Sequence, residues 1–201
     1  LHRVRSISVL ERMDNPLAES NPLTTEIKAA LADNIQRDKS GNMKMPKIFS
    51  GSAGLGSRDV RPDDIMAVVD NMIKDKKKYF AIGIDHELGL PTMDSTDIRP
   101  EGTFSMRGHS VGGYGSVTTN KVIATIVADL FDMYVQAYPK YGSEKKGLPT
   151  TYYLTVSPSH VKTHNELEFV EFVPLNDVNA FNLANPLNGL QPGGMLFVQT
   201  Q

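Results

Sequence analysis

The stretch Met106–Ile126, MRGHSVGGYGSVTTNKVIATI, decides how this chain is read. Gly108, Gly112, Gly113 and Gly115 come first, and an apolar pattern at helical spacing follows. Residues 103–108 read as a strand, so the expected order is strand, glycine turn, helix. The helix is expected from Ser116 to about Ala137, with Val122, Ile123, Ile126, Val127 and Leu130 on its buried side. At such a junction the first helical N–H groups lack intrahelical acceptors, and the helix dipole adds partial positive charge. That combination suits an anion. Glycine permits positive φ and removes the β-carbons that would hold a phosphate away. Gly108, Gly112, Gly113 and Gly115 supply this, Ser110, Ser116, Thr118 and Thr119 add hydroxyls, and Arg107 and Lys121 bracket the turn with positive charge.

The spacing G-x-x-x-G-G-x-G matches neither the dinucleotide fingerprint nor the Walker pattern. No acidic residue sits about 20 positions on in a second strand to hold a ribose. Taken alone, the residues leave two readings open: an anion cradle, or a tight strand-to-helix turn with no ligand.

Before this stretch, residues 4–12 alternate as a half-buried strand does. A helix follows a Pro-rich loop, with Thr24 or Thr25 as its N-cap and Ile27, Ala30 and Leu31 on its apolar side. Residues 36–44 are a polar loop, and a short strand over 47–50 enters a Gly-rich loop. Pro62 opens a second helix whose apolar face is Ile65, Val68, Val69, Met72 and Ile73. The lysine-rich run 74–79 reads as its solvated end. Residues 79–85 form an apolar run suited to a strand buried on both faces. The turn-rich segment 86–102 places a domain boundary near residue 100.

After the stretch, residues 138–150 read as a loop. Three strands are expected at 151–157, 166–173 and 193–199, with a short helix and loop between the last two. Strands alternating with helices argue for α/β layers and a largely parallel sheet. His160 and His164 stand at a metal-compatible spacing only if helical, and their surroundings read as strand and turn, so no metal site is expected. Asp85–Gly89 reads as a hydrogen-bonded turn after a buried strand. The nine methionines read as core filling.

Lysine and arginine number 21 against 23 acids in 201 residues, a net charge of −2. Such a balance steers the chain to neither nucleic acid nor anionic membrane. The absence of cysteine removes disulfides, thiolate catalysis and any iron–sulfur cluster ligated by this chain. No apolar run approaches the ~20 residues that span a bilayer, and no signal peptide is recognisable. A cytoplasmic location is the expectation. Residue 1 is Leu, and residues 193–201 read as a strand that stops where the sequence stops. A piece of a longer or processed chain is therefore expected.

Several segments, in order, resemble the 2-oxoacid:acceptor oxidoreductases, most closely the pyruvate:ferredoxin (flavodoxin) oxidoreductases. The strand ending Leu10-Glu11-Arg12 resembles the family's Leu-Asp-Arg, which opens its transketolase C-terminal-like domain. Gly54, Leu55, Gly56, Ser57, Arg58, Asp59 and Pro62 resemble a Gly-Leu-Ser-Ser-Lys-acid-Phe-Thr-Pro helix opening. Residues 79–89 are similar to the strand Phe-Thr-Val-Gly-Ile-Asn-Asp-Asp. The glycine stretch resembles the start of the gamma-type domain, with Asn120-Lys121 matching its Asn-Lys pair. Tyr114 stands where many relatives have Gln, and His109 and Ser110 depart from the first Gly-x-Gly. Residues 151–172 and 190–199 resemble two further strand motifs of that domain.

The resemblance implies two three-layer α/β domains. Residues 1–98 would be transketolase C-terminal-like, and residues 99–201 gamma-type, like domain III of the pyruvate enzymes. It implies oxidative decarboxylation of a 2-oxoacid on thiamine diphosphate with Mg, electron transfer through Fe–S clusters to ferredoxin or flavodoxin, and acyl capture on coenzyme A. Arg107, Gly108, Ser110, Gly112, Gly113, Gly115, Ser116, Thr118, Asn120 and Lys121 then become the expected coenzyme A surface. No catalytic residue is expected here, because neither a thiamine-binding run nor a cluster-ligating cysteine is present. Thiamine and Fe–S sites would lie in other chains or segments, and this chain alone would be inactive. The alternative is a non-catalytic interaction or nucleotide-binding module of the same fold.

Overall fold

The computed structural model describes residues 4–140 and 147–200. It divides into two compact units, Leu1–Thr96 and Asp97–Gln201. Among the described residues, no helix is long and apolar enough to cross a membrane.

In the first unit, β1 (Ser6–Glu11), β2 (Lys47–Ser52) and β3 (Tyr79–Ala81) form a parallel sheet in the order β1-β2-β3. Helices α1 (Pro22–Arg37) and α2 (Pro62–Ile73) connect them. Alternate residues of β2 face opposite ways, as the strand period requires. Ser50 donates to Thr24 Oγ1 of α1 at 3.1 Å, whereas Phe49 packs with Val68 of α2, Phe80 and Ile82. A helix thus covers each face of this sheet.

Helix α1 starts earlier than expected, with Asn21 at its N-cap and Pro22 in its first turn. Its acceptor comes from β1 rather than from Thr24 or Thr25. Glu11 accepts from Leu23 N at 2.8 Å, from Thr24 N at 3.0 Å and from Thr24 Oγ1 at 2.8 Å. A cap 12 residues away is invisible to local patterning. Helix α2 begins at Pro62 as expected, and Asp64 accepts from Arg61 N at 3.0 Å. Its buried side is Ala67, Val68 and Asn71, while Ile65, Val69 and Ile73 are exposed. Asn71 is drawn inward because its amide bonds both backbone groups of Lys77. Strand β3 is shorter than the expected 79–85 run. Gly83 takes a φ of 70°, and the chain folds back to pair Ala81 with Leu88 and Leu90.

In the second unit the strands are β4 (Phe104–Val111), β5 (Tyr134–Lys140), β6 (Pro149–Ser157), β7 (Val170–Leu175) and β8 (Leu190–Val198). Their order is β5-β6-β4-β7-β8. The β4–β6 and β5–β6 pairs are antiparallel, and β4–β7 and β7–β8 are parallel. The sheet is therefore mixed, not largely parallel. Helix α3 (Ser116–Phe131) packs Ala124 against Met106, Tyr152 and Leu154.

Several expectations need correction here, among them the buried side of α3: Asn120 and Ala124 are buried, whereas Val122, Ile123, Ile126 and Leu130 are exposed. The helix does not reach Ala137: it stops at Phe131, and Asp132 follows in the left-handed region at φ 52°. Residues 134–140 form β5, because their alternation finds a partner in β6 and pairing overrides helical propensity. The expected loop 138–150 is partly strand, and residues 141–146 lie outside the described residues. The sheet face opposite α3 carries irregular segments rather than a helix layer: Tyr138 donates to Asn165 O and Tyr153 to Glu166. The short helix expected between the last two strands is a 3-10 helix, Val178–Asn182.

Candidate functional site

Strand β4 runs three residues past Gly108 before the chain turns. Burial alternates from Met106 to Val111, and Ser110 pairs with Thr150 in the same ladder as Met106 with Leu154. Gly108 is therefore a strand residue. A β-carbon there would lie 2.0 Å from Tyr152 Cζ, so the glycine makes room for a tyrosine and not for a ligand.

The turn proper is Gly112–Gly115. It is tied to the start of β6, with Gly112 N donating to Leu148 O at 2.8 Å and Gly147 N to Gly112 O at 3.0 Å. Gly113 and Gly115 have φ of 97° and 86°, which side-chain-bearing residues rarely adopt. Gly115 is the N-cap of α3 and has no side chain to cap it. Among the described residues, no side chain accepts from the N–H groups of Ser116, Val117 or Thr118, and no acid sits in the first turn. Helices α1 and α2 differ, since Glu11 and Asp64 place carboxylates at their starts. Of the three described α-helices, the third alone starts with no carboxylate to offset its positive end among the described residues.

Six of the ten expected residues gather here: Gly112, Gly113, Gly115, Ser116, Thr118 and Lys121. Thr118 and Lys121 are exposed. Ser110 reaches the site indirectly, its hydroxyl 2.7 Å from that of Ser116. Open space surrounds the position of a β-carbon on Gly115. Among the described residues, nothing there stands in the way of an oxyanion approaching the helix end.

Arg107, Gly108 and Asn120 belong elsewhere. Arg107 lies on the sheet face away from α3, where its guanidinium donates to Leu167 O at 3.0 Å, to Pro186 O at 3.1 Å and to Asn188 O. Burial lowers its pKa from the ordinary value. Its charge therefore does not bracket the turn. Asn120 is buried and donates to Tyr153 O at 2.8 Å, tying α3 to β6. Its Oδ1 has no partner among the described residues. Reading the strand through to Val111 was possible from its alternation, and it would have removed Arg107 and Gly108 from the candidates.

His109, beside Arg107, is pushed down to about 4, first by burial and then by the Arg107 charge, with a hydrogen bond to Pro186 acting against both. His160 packs against the Tyr134 ring at 5.6 Å, and His164 lies 3.5 Å from Gln136 Nε2. Among the described residues, no three His, Asp or Glu side chains converge as metal ligands would. Residues 85–89 form a hydrogen-bonded turn, with Gly89 N donating to His86 O at 2.7 Å.

An α/β protein with a glycine turn leading from a strand into a helix is the class that the fold defines. Residues 105–201 match the family model described as pyruvate ferredoxin/flavodoxin oxidoreductase. The chain is similar to enzymes of that name: it is 29% identical over 196 residues, 95% of its length, to pyruvate-flavodoxin oxidoreductase of Enterobacter agglomerans. It is 27% identical over 98% of its length to pyruvate:ferredoxin oxidoreductase of Moorella thermoacetica. In both cases it spans 16% of the relative's length. A solved pyruvate oxidoreductase subunit from Thermotoga maritima is 25% identical, with a TM-score of 0.40 over 49% of this chain and 50% of that one.

Proposed function

We propose that this chain supplies part of a pyruvate:ferredoxin or pyruvate:flavodoxin oxidoreductase, and that the start of α3 receives the phosphates of coenzyme A. The second unit would be the gamma-type domain and the first the transketolase C-terminal-like domain. The observation that carries the reading is the bare positive end of α3, the one of the three described α-helix starts that has no carboxylate among the described residues. The N–H groups of Ser116, Val117 and Thr118 would donate to a phosphate. The Ser116 and Thr118 hydroxyls would add bonds, and Lys121 would add charge one turn on. Coenzyme A, when bound, supplies the thiol that accepts the acyl group.

With no cysteine, this chain would hold no thiolate-ligated Fe–S cluster. Thiamine diphosphate, Mg and Fe–S clusters would sit in other segments or chains of a cytoplasmic enzyme, and ferredoxin or flavodoxin would dock there. The exposed apolar residues of α3, Val122, Ile126, Leu130 and Phe131, support packing against further polypeptide.

Titration calorimetry with coenzyme A tests the ligand. Saturable binding that weakens about tenfold in the Ser116→Ala/Lys121→Ala variant is expected, because charge-assisted bonds to a phosphate are lost. It should also fall with salt. Binding unchanged by that variant would refute the assignment.

A further inference from the structure

The lysine-rich run 74–79 takes no part in the α3 turn, yet in the first unit it borders a groove. That groove has a volume of about 800 Å³. Its floor is apolar: Ala29 and Ala32 of α1, with Met45 and Ile48 from the entry to β2. Four lysines, Lys28, Lys47, Lys76 and Lys78, stand around it against one carboxylate, Asp75.

The charge is not spread evenly. Lys47 pairs with Asp75, and Lys76 pairs with Asp70 at 3.3 Å. Lys28 and Lys78 make no ion pair among the described residues. Lys28 Nζ donates to Ser20 Oγ, and both ammonium groups lie over the Tyr79 ring, 5.8 and 5.6 Å from its centroid. One end of the groove therefore concentrates unneutralised positive charge, while its length stays apolar.

We propose that this groove binds a small anionic amphiphile, with its carboxylate or phosphate beside Lys28 and Lys78 and its hydrocarbon chain along Ala29, Ala32, Met45 and Ile48. The volume falls in the range of small-molecule sites, as does the pairing of an apolar lining with a few convergent polar groups. Burying the chain removes apolar surface from water, and the lysines select the charged head. A docked helix fits less well. The lining residues of α1, Thr25 to Ala32, span only about 10 Å at 1.5 Å per residue. A membrane surface needs a protruding basic face, whereas this one is concave. The proposal is independent of the reading of α3.

Decanoate, with decanol as the uncharged control, tests it on the full 201-residue chain by ¹H–¹⁵N chemical-shift titration. Saturable shifts at Ala29, Ala32 and Ile48 are expected for decanoate, with decanol at least about tenfold weaker. Lys28→Gln/Lys78→Gln should erase that preference. Ala29→Phe should block binding by filling the groove, and as an exposed helix position it leaves the fold intact by circular dichroism. No saturable decanoate binding below about 1 mM overturns the proposal. Equal binding of both probes, or displacement of decanoate to other residues, overturns it as well. Tighter saturable binding of an acidic amphipathic peptide on the same residues would instead make the groove a protein-docking surface.

Discussion

The ring of Tyr152 fills the space beside Gly108 so completely that a β-carbon on that glycine would lie 2.0 Å from Tyr152 Cζ. The two residues are register partners on β4 and β6. The Tyr152 hydroxyl is held in turn by Asn176 Oδ1 at 2.8 Å. The ring cannot move aside without breaking that bond. Gly108→Ala should therefore cost about 3 kcal/mol, at the upper end for an overpacked core. Urea unfolding midpoints measure it, and adding Tyr152→Leu should recover part of the loss, a non-additivity expected of touching residues. Coenzyme A affinity, corrected for the folded fraction, should not change.

Glu11 caps a helix to which it is not attached. Its carboxylate satisfies two backbone donors and one hydroxyl at the start of α1. Glu11→Ala should destabilise the first unit by about 1–2 kcal/mol, the usual range for losing an N-cap. Glu11→Asp, whose shorter arm cannot span the gap, should behave similarly. Hydrogen exchange at Leu23 and Thr24 reports the loss locally.

The α/β alternation, the Pro62 helix start and the approximate positions of most strands were legible because each rests on local periodicity or on a proline. Strand β5 was not, since Tyr134–Lys140 becomes a strand only when β6 is beside it. The α1 cap was hidden because its acceptor comes from another element. At the candidate site the glycines of the turn and the bare helix start were readable. The misplacement of Arg107 came from ending β4 at its first glycine. Gly108 looks like turn chemistry in a sequence, but it answers to a tyrosine that sits 44 positions away.

His109 makes stability depend on pH. Its folded pKa, about 4, lies below the ordinary 6.5, so folding favours the neutral ring. The associated stability is complete above pH 6.5 and is lost as pH falls from there through about 4. Allowing for partial exposure, about 1 kcal/mol should disappear between pH 7 and pH 5. His109→Gln should flatten this part of the profile in chemical denaturation series. An identical slope in the variant would show that the histidine does not titrate against folding.

The exposed face of α3 makes a contrasting prediction. Leu130 is 74% exposed and Phe131 67%, so Leu130→Ser and Phe131→Ser remove little buried surface. Stability should change by no more than about 0.5 kcal/mol. Sedimentation velocity should show weaker self-association, because an apolar face that packs against further polypeptide is sticky when bare.

Segment-resolved hydrogen exchange, with and without coenzyme A, tests the central claim most directly. The account predicts slower exchange at Ser116, Val117 and Thr118, whose N–H groups would donate to phosphate, and no change around Leu23 and Thr24, which Glu11 already occupies. Unchanged exchange across residues 112–121 at millimolar coenzyme A would contradict it.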